Sequence, residues 1–301
     1  MQTRRLGRTD LSVAPLVLGG NVFGWTADKK TSFDVLDRFA AAGLNAIDTA
    51  DVYSAWAPGN LGGESETIIG EWMKARGNRN RVIIITKVGS PMGKGKEGLQ
   101  PHYVAEAVEA SLKRLQVDVI DLYLSHWPDM ATPVDETLGA YQRLIEQGKI
   151  RWCGASNLSV KLLEAALAAS KAKGLPRYEV LQPEYNLADR HEFENGLADL
   201  CQREQIGVTT YFSLAKGFLT GKSAARPISP RVRAATGSRP ISIPVDFASS
   251  TRSKRWRPAT KQSPRRSRWP GPWRGPASAR RSPAPPRSNR PRALRAQPSL
   301  R

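Results

Sequence analysis

Asp48, Tyr53, Lys87 and His126 are four side chains that, brought to one point, can protonate a carbonyl oxygen. Tyr53 is the candidate donor. A phenol with a pKa of about 10 is a poor acid at neutral pH, but a neighbouring ammonium favours the phenolate and lowers that value. Lys87 can supply the ammonium, Asp48 can hold Lys87 in place, and His126 can orient the carbonyl through a hydrogen bond. None of the four is a usual hydride donor, so a reduction would need a nicotinamide to bring the hydride. Singly, each has an ordinary explanation. A lysine after a strand is usually solvated, a histidine beside Trp127 is more often a satisfied, partly buried one, and Asp48 before Thr49 is ordinarily a turn or N-cap residue.

What brings the four together is the pattern of elements between them. Strand-length apolar runs at 16–20, 44–48, 82–86, 119–124, 150–154, 179–182 and 207–211 alternate with helical patterns, among them 31–42, 64–76, 101–115, 159–172 and 192–204. Val82-Ile83-Ile84-Ile85-Thr86 is apolar and β-branched throughout, as a buried parallel strand requires. Seven strands and six intervening helices predict a parallel sheet with right-handed crossovers. They fit a (β/α)8 TIM barrel whose eighth βα unit is missing, with the reactive side chains at the C-terminal ends of the strands. An open doubly wound sheet is the alternative, but Leu18-Gly19-Gly20-Asn21-Val22-Phe23-Gly24 lacks the G-x-G-x-x-G spacing that it would want.

The net charge of +19 over 301 residues points at first to a nucleic-acid partner. Its distribution does not. Residues 223–301 hold 20 of the 46 basic side chains and one of the 27 acidic ones, Asp246, so 1–222 is neutral. Cys153 and Cys201 make neither a disulfide framework nor a metal motif, and no metal is expected. A polar start and the lack of an 18-residue apolar run predict a cytoplasmic protein with no membrane partner.

Ile47-Asp48-Thr49-Ala50-Asp51-Val52-Tyr53-Ser54, Thr86-Lys87 and Leu124-Ser125-His126-Trp127-Pro128 resemble the tyrosine, lysine and histidine motifs of the aldo-keto reductases. Leu6-Gly7-Arg8-Thr9-Asp10-Leu11-Ser12-Val13 is similar to the hairpin that plugs the bottom of the barrel in that family. Gly154-Ala155-Ser156-Asn157, Gln182-Pro183-Glu184-Tyr185-Asn186 and the stretch 211–222 follow in family order. The resemblance implies NADPH-dependent reduction of a small aldehyde or ketone, with Asp48, Tyr53, Lys87 and His126 as the catalytic tetrad. It implies that Ser156, Asn157 and Gln182 grip the nicotinamide carboxamide and that Tyr211 stacks on its ring. Phe212, Ser213, Leu214, Ala215, Lys216, Gly217 and Lys222 fall on the pyrophosphate side, and Gly20, Asn21 and Asp48 join the cofactor-facing set. Ser213 stands where many relatives have proline. Phe23, Trp25, Trp56 and Trp127 are candidate walls of the substrate pocket, or simply packing. A non-catalytic, cofactor-binding protein like the channel-associated β-subunits on the same barrel is the alternative; retention of all four tetrad residues favours the enzyme.

Residues 223–301 do not continue this pattern. Arg, Pro, Ser and Ala make up 56 of the 79, and 14 prolines forbid a long helix. A basic arm for nucleic acid or anionic lipid, a disordered extension and a shifted reading frame are the three readings. Moving the frame one base earlier lets Ala224–Arg231 read R-S-E-A-D-L-A-K, as suits the loop after Lys222. In the same frame 264–278 can read as the family's seventh helix, and 280–290 as its eighth strand and the clamp for the cofactor's 2′-phosphate. Three segments in family order favour the shifted frame, in which case the present tail lacks that clamp and packs without regular structure. A chain with the frame restored is therefore expected to bind NADPH far more tightly than the present one; equal dissociation constants in a fluorescence titration would count against this reading.

Overall fold

The computed structural model describes residues 2–93 and 95–221. Expectations for the eighth unit, for the tail and for Lys222 fall outside these residues. β1 (Arg4–Arg5) and β2 (Ser12–Val13) form an antiparallel hairpin. The main sheet is β3 (Val17–Gly19), β4 (Ala46–Asp48), β5 (Ile83–Val88), β6 (Ile120–Ser125), β7 (Ile150–Ser156), β8 (Val180–Gln182) and β9 (Gly207–Val208). Its strands are parallel and pair in chain order, and among the described residues β3 and β9 are its two edges. This is the (β/α)8 architecture with seven strands in place. The connecting helices are α1 (Lys29–Ala41), α2 (Glu64–Arg76), α3 (Pro101–Leu115), α4 (Val134–Glu146), α5 (Val160–Lys173) and α6 (Ala198–Arg203). Among the described residues no helix is long and apolar enough to cross a membrane.

Local chemistry accounts for most of the helix boundaries. The Asp28 carboxylate accepts from the Thr31 N–H and starts α1, and the Ser159 hydroxyl accepts from the Leu162 N–H and starts α5. Pro101 opens α3 at a position where its missing N–H costs nothing. Two expectations change. The helix expected over 192–204 is broken at Asn195 and at Gly196, whose φ of 96° no ordinary helix contains, so α6 proper begins at Ala198. The strand expected over 207–211 pairs regularly only through Val208 and touches the sheet again at Tyr211 beside Glu184. Pro183 lies opposite that gap and has no N–H to extend the ladder.

Strand alternation divides the core in two. Leu122 and Leu124 of β6 point to the barrel interior with Ala46, Ile85 and Val180, and the interior is closed below by Leu6, Leu11 and Val13 of the hairpin segment. Ile84 and Tyr123 point outward, into the layer beneath the helices. The hairpin therefore does plug the barrel. That outer layer is tight where α2 crosses the end of α3. A Cβ on Gly70 would lie 2.4 Å from the Arg114 carbonyl oxygen and 2.6 Å from that of Leu115. Gly70→Ala should thus lower stability by about 1–3 kcal/mol despite alanine's better helix propensity. Urea unfolding checks it, and a raised midpoint would mean that the two helices are free to part.

Candidate active site

Asp48 is the last residue of β4 and pairs with Ile85 on β5. Lys87 is two residues beyond Ile85, so the two-residue repeat of the strand turns it to the same interior face. Its ammonium is 1% exposed and donates to Asp48 Oδ2 (2.7 Å), to the Thr49 carbonyl (2.8 Å) and to Tyr53 Oη (2.8 Å). All three of its hydrogens are thereby used. Tyr53 Oη also lies 3.4 Å from Asp48 Oδ2, and the ammonium stands 4.5 Å from the centre of the tyrosine ring. His126 directly follows β6, its ring 5.9 Å from that of Tyr53. The structure brings the four residues to one rim, as expected.

The electrostatics differ from the expectation in one respect. Burial pushes the Tyr53 phenol up to about 12; the Lys87 ammonium pulls it down, as anticipated, but the Asp48 carboxylate adds to burial and the sum is upward. Burial opposes the charge on Lys87, yet Asp48 and Tyr53 outweigh it and hold its pKa above the ordinary lysine value. Burial, with Lys87 nearby, keeps His126 well below the usual histidine range, so its imidazole is neutral at pH 7. Ser90 is a partner that the sequence reading missed. Its hydroxyl lies 2.9 Å from His126 Nδ1. Only its place three residues after Lys87, just beyond β5, could have pointed to it.

A second chain of contacts continues along the rim. Gln182, ending β8, donates to Asp48 Oδ1 (2.8 Å), so the Asp48 carboxylate is shared between lysine and glutamine. Ser156, ending β7, donates to the Gln182 carbonyl (2.7 Å). Asn157, at φ 61°, donates to the His126 carbonyl (2.9 Å) and accepts from the Tyr211 hydroxyl (2.7 Å). Ser156, Asn157, Gln182 and Tyr211 are therefore one hydrogen-bonded set contiguous with the tetrad. Gly20 is pressed against the same rim: its N–H donates to the Asp48 carbonyl, and a Cβ there would lie 2.8 Å from Ser65 Oγ. Asn21 follows it in the same loop and is partly exposed. The stretch 212–217 turns sharply, with Phe212, Ala215, Lys216 and Gly217 all at positive φ. Phe212, Ser213 and Leu214 are exposed and Ala215 is buried, while the Lys216 ammonium pairs with Glu184 at 3.5 Å.

Three of the four candidate pocket aromatics have exposed surface and connect to Tyr53 directly or through one neighbouring ring. Trp56 is 6.0 Å from the Tyr53 ring and 5.8 Å from Trp25, and Trp127 stacks on His126 at 5.9 Å. Phe23 is the exception. It is buried in the outer core, where its ring packs and its carbonyl accepts from Ser54, so it is a packing residue rather than a wall. A cleft of about 820 Å³ lined by Arg8, Trp152, Lys171, Arg177 and Leu200 includes no residue of the tetrad, the cofactor-facing set or the aromatic walls, and lies away from the chemistry.

A tyrosine held by a buried lysine–aspartate pair at the strand ends of a parallel barrel, with a neutral histidine beside it, is an arrangement chemically able to pass a proton to a polarised oxygen. The Aldo/keto reductase family model matches residues 15–250, which runs past the 222 boundary drawn from the sequence. The chain belongs to the aldo-keto reductase family, a family of oxidoreductases. It is 34% identical over 256 residues to Protein tas of Escherichia coli (strain K12), covering 77% of this chain and 74% of that one. It is 35% identical over 226 residues to a probable voltage-gated potassium channel subunit beta of Arabidopsis thaliana, covering 74% and 66%. Among solved structures it is similar to the aldo-keto reductase AKR11C1 from Bacillus halodurans in its holo form, at a TM-score of 0.63 and 31% identity, covering 76% of this chain and 70% of that one.

Removing the Asp48 charge should leave the Lys87 ammonium buried and unpaired. Asp48→Asn is expected to cost about 3–5 kcal/mol at neutral pH. Lys87→Met in the same chain should recover part of the loss. Urea unfolding of the two single variants and the double variant checks this, and additive losses would show that the pair is not coupled.

Proposed function

We propose that the chain reduces an aldehyde or ketone with a reduced nicotinamide cofactor, Tyr53 giving its proton to the carbonyl oxygen. The observation that carries this reading is the single Lys87 ammonium in contact with both Asp48 Oδ2 and Tyr53 Oη, at 2.7 and 2.8 Å. Tyr53 holds its proton at neutral pH, which a general acid must do. As the proton leaves, the phenolate that forms meets the Lys87 ammonium already in place, a charge arranged in advance for the developing one. Asp48 positions that ammonium. His126 is neutral, and in the tautomer in which the Ser90 hydroxyl donates to Nδ1 the hydrogen sits on Nε2, where it would orient the carbonyl oxygen.

The residues beside the tetrad suit a nicotinamide. Ser156, Asn157 and Gln182 present hydroxyl and amide groups at adjacent strand ends, and the partly exposed Tyr211 ring adjoins them. When bound, the reduced nicotinamide supplies the hydride. NADPH is the expected form, with Phe212, Ser213, Leu214, Ala215, Lys216 and Gly217 on its pyrophosphate side and Gly20 and Asn21 near its reactive end. Trp25, Trp56 and Trp127 would form the walls for a small carbonyl substrate. The similarity to a channel subunit keeps a cofactor-binding, non-catalytic role as the second reading.

Aldehyde-dependent oxidation of NADPH separates the two readings, since a binding protein would show none. Tyr53→Phe should lower kcat by about 10²–10⁴-fold, the usual worth of a general acid. Its cofactor dissociation constant should stay near that of the wild type, read by quenching of tryptophan fluorescence. Wild-type turnover in Tyr53→Phe would remove the tyrosine from the mechanism.

A further inference from the structure

Asp51 lies between Asp48 and Tyr53 on the loop that carries both, and its environment is the reverse of theirs. Its side chain is 1% exposed, and neither carboxylate oxygen has a hydrogen-bond partner among the described residues. Its main-chain N–H donates to the Lys87 carbonyl at 3.2 Å, which ties the loop to β5 directly behind the ammonium.

The groups that face it come from four elements. Glu66 on α2 is fully engaged: it accepts from Thr86 Oγ1 at 2.5 Å and from Arg114 Nε at 2.6 Å. Arg114 on α3 is committed to that pair and to Ser111. Tyr103 on α3 and Tyr123 on β6 turn neutral phenols toward it, and the buried Tyr123 hydroxyl is itself without a partner among the described residues. Lys87 on β5 is committed to Asp48. Two cations, Lys87 and Arg114, thus already balance two carboxylates, Asp48 and Glu66. A third carboxylate there would be a buried charge with no counter-ion, which folded chains avoid by keeping the proton on.

We propose that Asp51 is a neutral carboxylic acid behind the tetrad, and that it is a positioning residue: while it keeps its proton, Lys87 answers to Asp48 alone and remains on Tyr53. Loss of the proton would add a buried negative charge on the outer side of the loop, whose field reaches Lys87 and would weaken its hold on the phenol. The electrostatics agree. Burial and the Glu66 carboxylate push Asp51 up to about 8, and the Val52 N–H, Arg114 and Lys87 offset this only in part; the Val52 N–H does so without completing a well-aligned hydrogen bond. The proton's contribution to stability is full below the unfolded aspartate value near pH 4 and is lost as pH rises through about 8. The kinetic consequence rests on the proposed reductase chemistry; the protonation state does not.

The test is carbon-13 NMR of the full chain, labelled at aspartate carboxyl and lysine ε carbons. One aspartate resonance should titrate near pH 8, and the Lys87 ε carbon should step at the same midpoint. Both features should vanish in Asp51→Asn, whose amide mimics the protonated acid. Between pH 4 and 8 the urea midpoint of the wild type should fall relative to that of Asp51→Asn. Where aldehyde reduction is measurable, kcat/KM of the wild type should decline above about pH 8, and Asp51→Asn should move that limb upward by about one unit or more. If no aspartate titrates above about pH 6, the proposal is overturned. A titrating Asp51 with no step at Lys87, or with pH–rate profiles that coincide, overturns the positioning role. If Asp51→Asn does not fold, the two wild-type titrations decide the matter alone. Absence of aldehyde-dependent NADPH oxidation would overturn the reductase reading while leaving the NMR result to stand by itself.

Discussion

The arrangement depends on a buried ammonium. Taking a lysine charge out of water costs several kcal/mol, and the barrel interior around Lys87 is otherwise lined by side chains such as Ala46, Ile85, Leu122 and Leu124. The charge is sustained because its three hydrogens meet three oxygens, from Asp48, Thr49 and Tyr53. Those oxygens lie on β4 and the loop after it, whereas the lysine lies on β5. The parallel register that sets Asp48 opposite Ile85 is therefore what makes the contact possible. A slip of one residue would turn Lys87 to the helix side, where Thr86 now holds Glu66.

The layers around this contact divide the work. The hairpin closes the lower end of the barrel with Leu6, Leu11 and Val13, so the interior beneath the charged pair is lined by apolar side chains. Outside the sheet, Glu66 with Arg114 and Thr86 binds α2, α3 and β5 into one block, and the loop from Asp48 to Tyr53 rests on that block. Gly70 lets the two helices approach closely enough for Arg114 to reach Glu66.

The three-residue separation of Asp48 and Asp51 shows how little a residue type alone says about charge. Asp48 faces the barrel interior and meets Lys87 and Gln182. Asp51 faces the outer layer, where the available cation is already spent on Glu66. Both oxygens of Asp48 have partners, whereas burial without partners presses Asp51 toward neutrality. The same division applies to the aromatics: Trp25, Trp56 and Trp127 keep exposed faces near Tyr53, while Phe23 from the same glycine-rich loop is taken into the core.

Much of this was legible in the residues. Strand and helix periods placed the parallel units, and reactive side chains at strand ends singled out Asp48, Tyr53, Lys87 and His126, because alternation and strand direction are local properties of the chain. The break at Gly196 is also local, but its signal was outweighed by the apolar pattern around it, whereas the early end of β9 depends on Pro183 across the strand pair. Contacts between distant segments were not legible: Ser90 on His126, Gln182 on Asp48, Arg114 on Glu66 and the unpartnered Asp51. Nor was the outcome for the Tyr53 proton. The sequence named the ammonium that lowers its pKa, but the burial that outweighs it is summed over every neighbour that folding brings in. Residue type and spacing decided which groups this protein has for chemistry; the packing of strands and helices decided which of them are charged, because charge in a protein interior depends on distance to partners and on the water excluded around them.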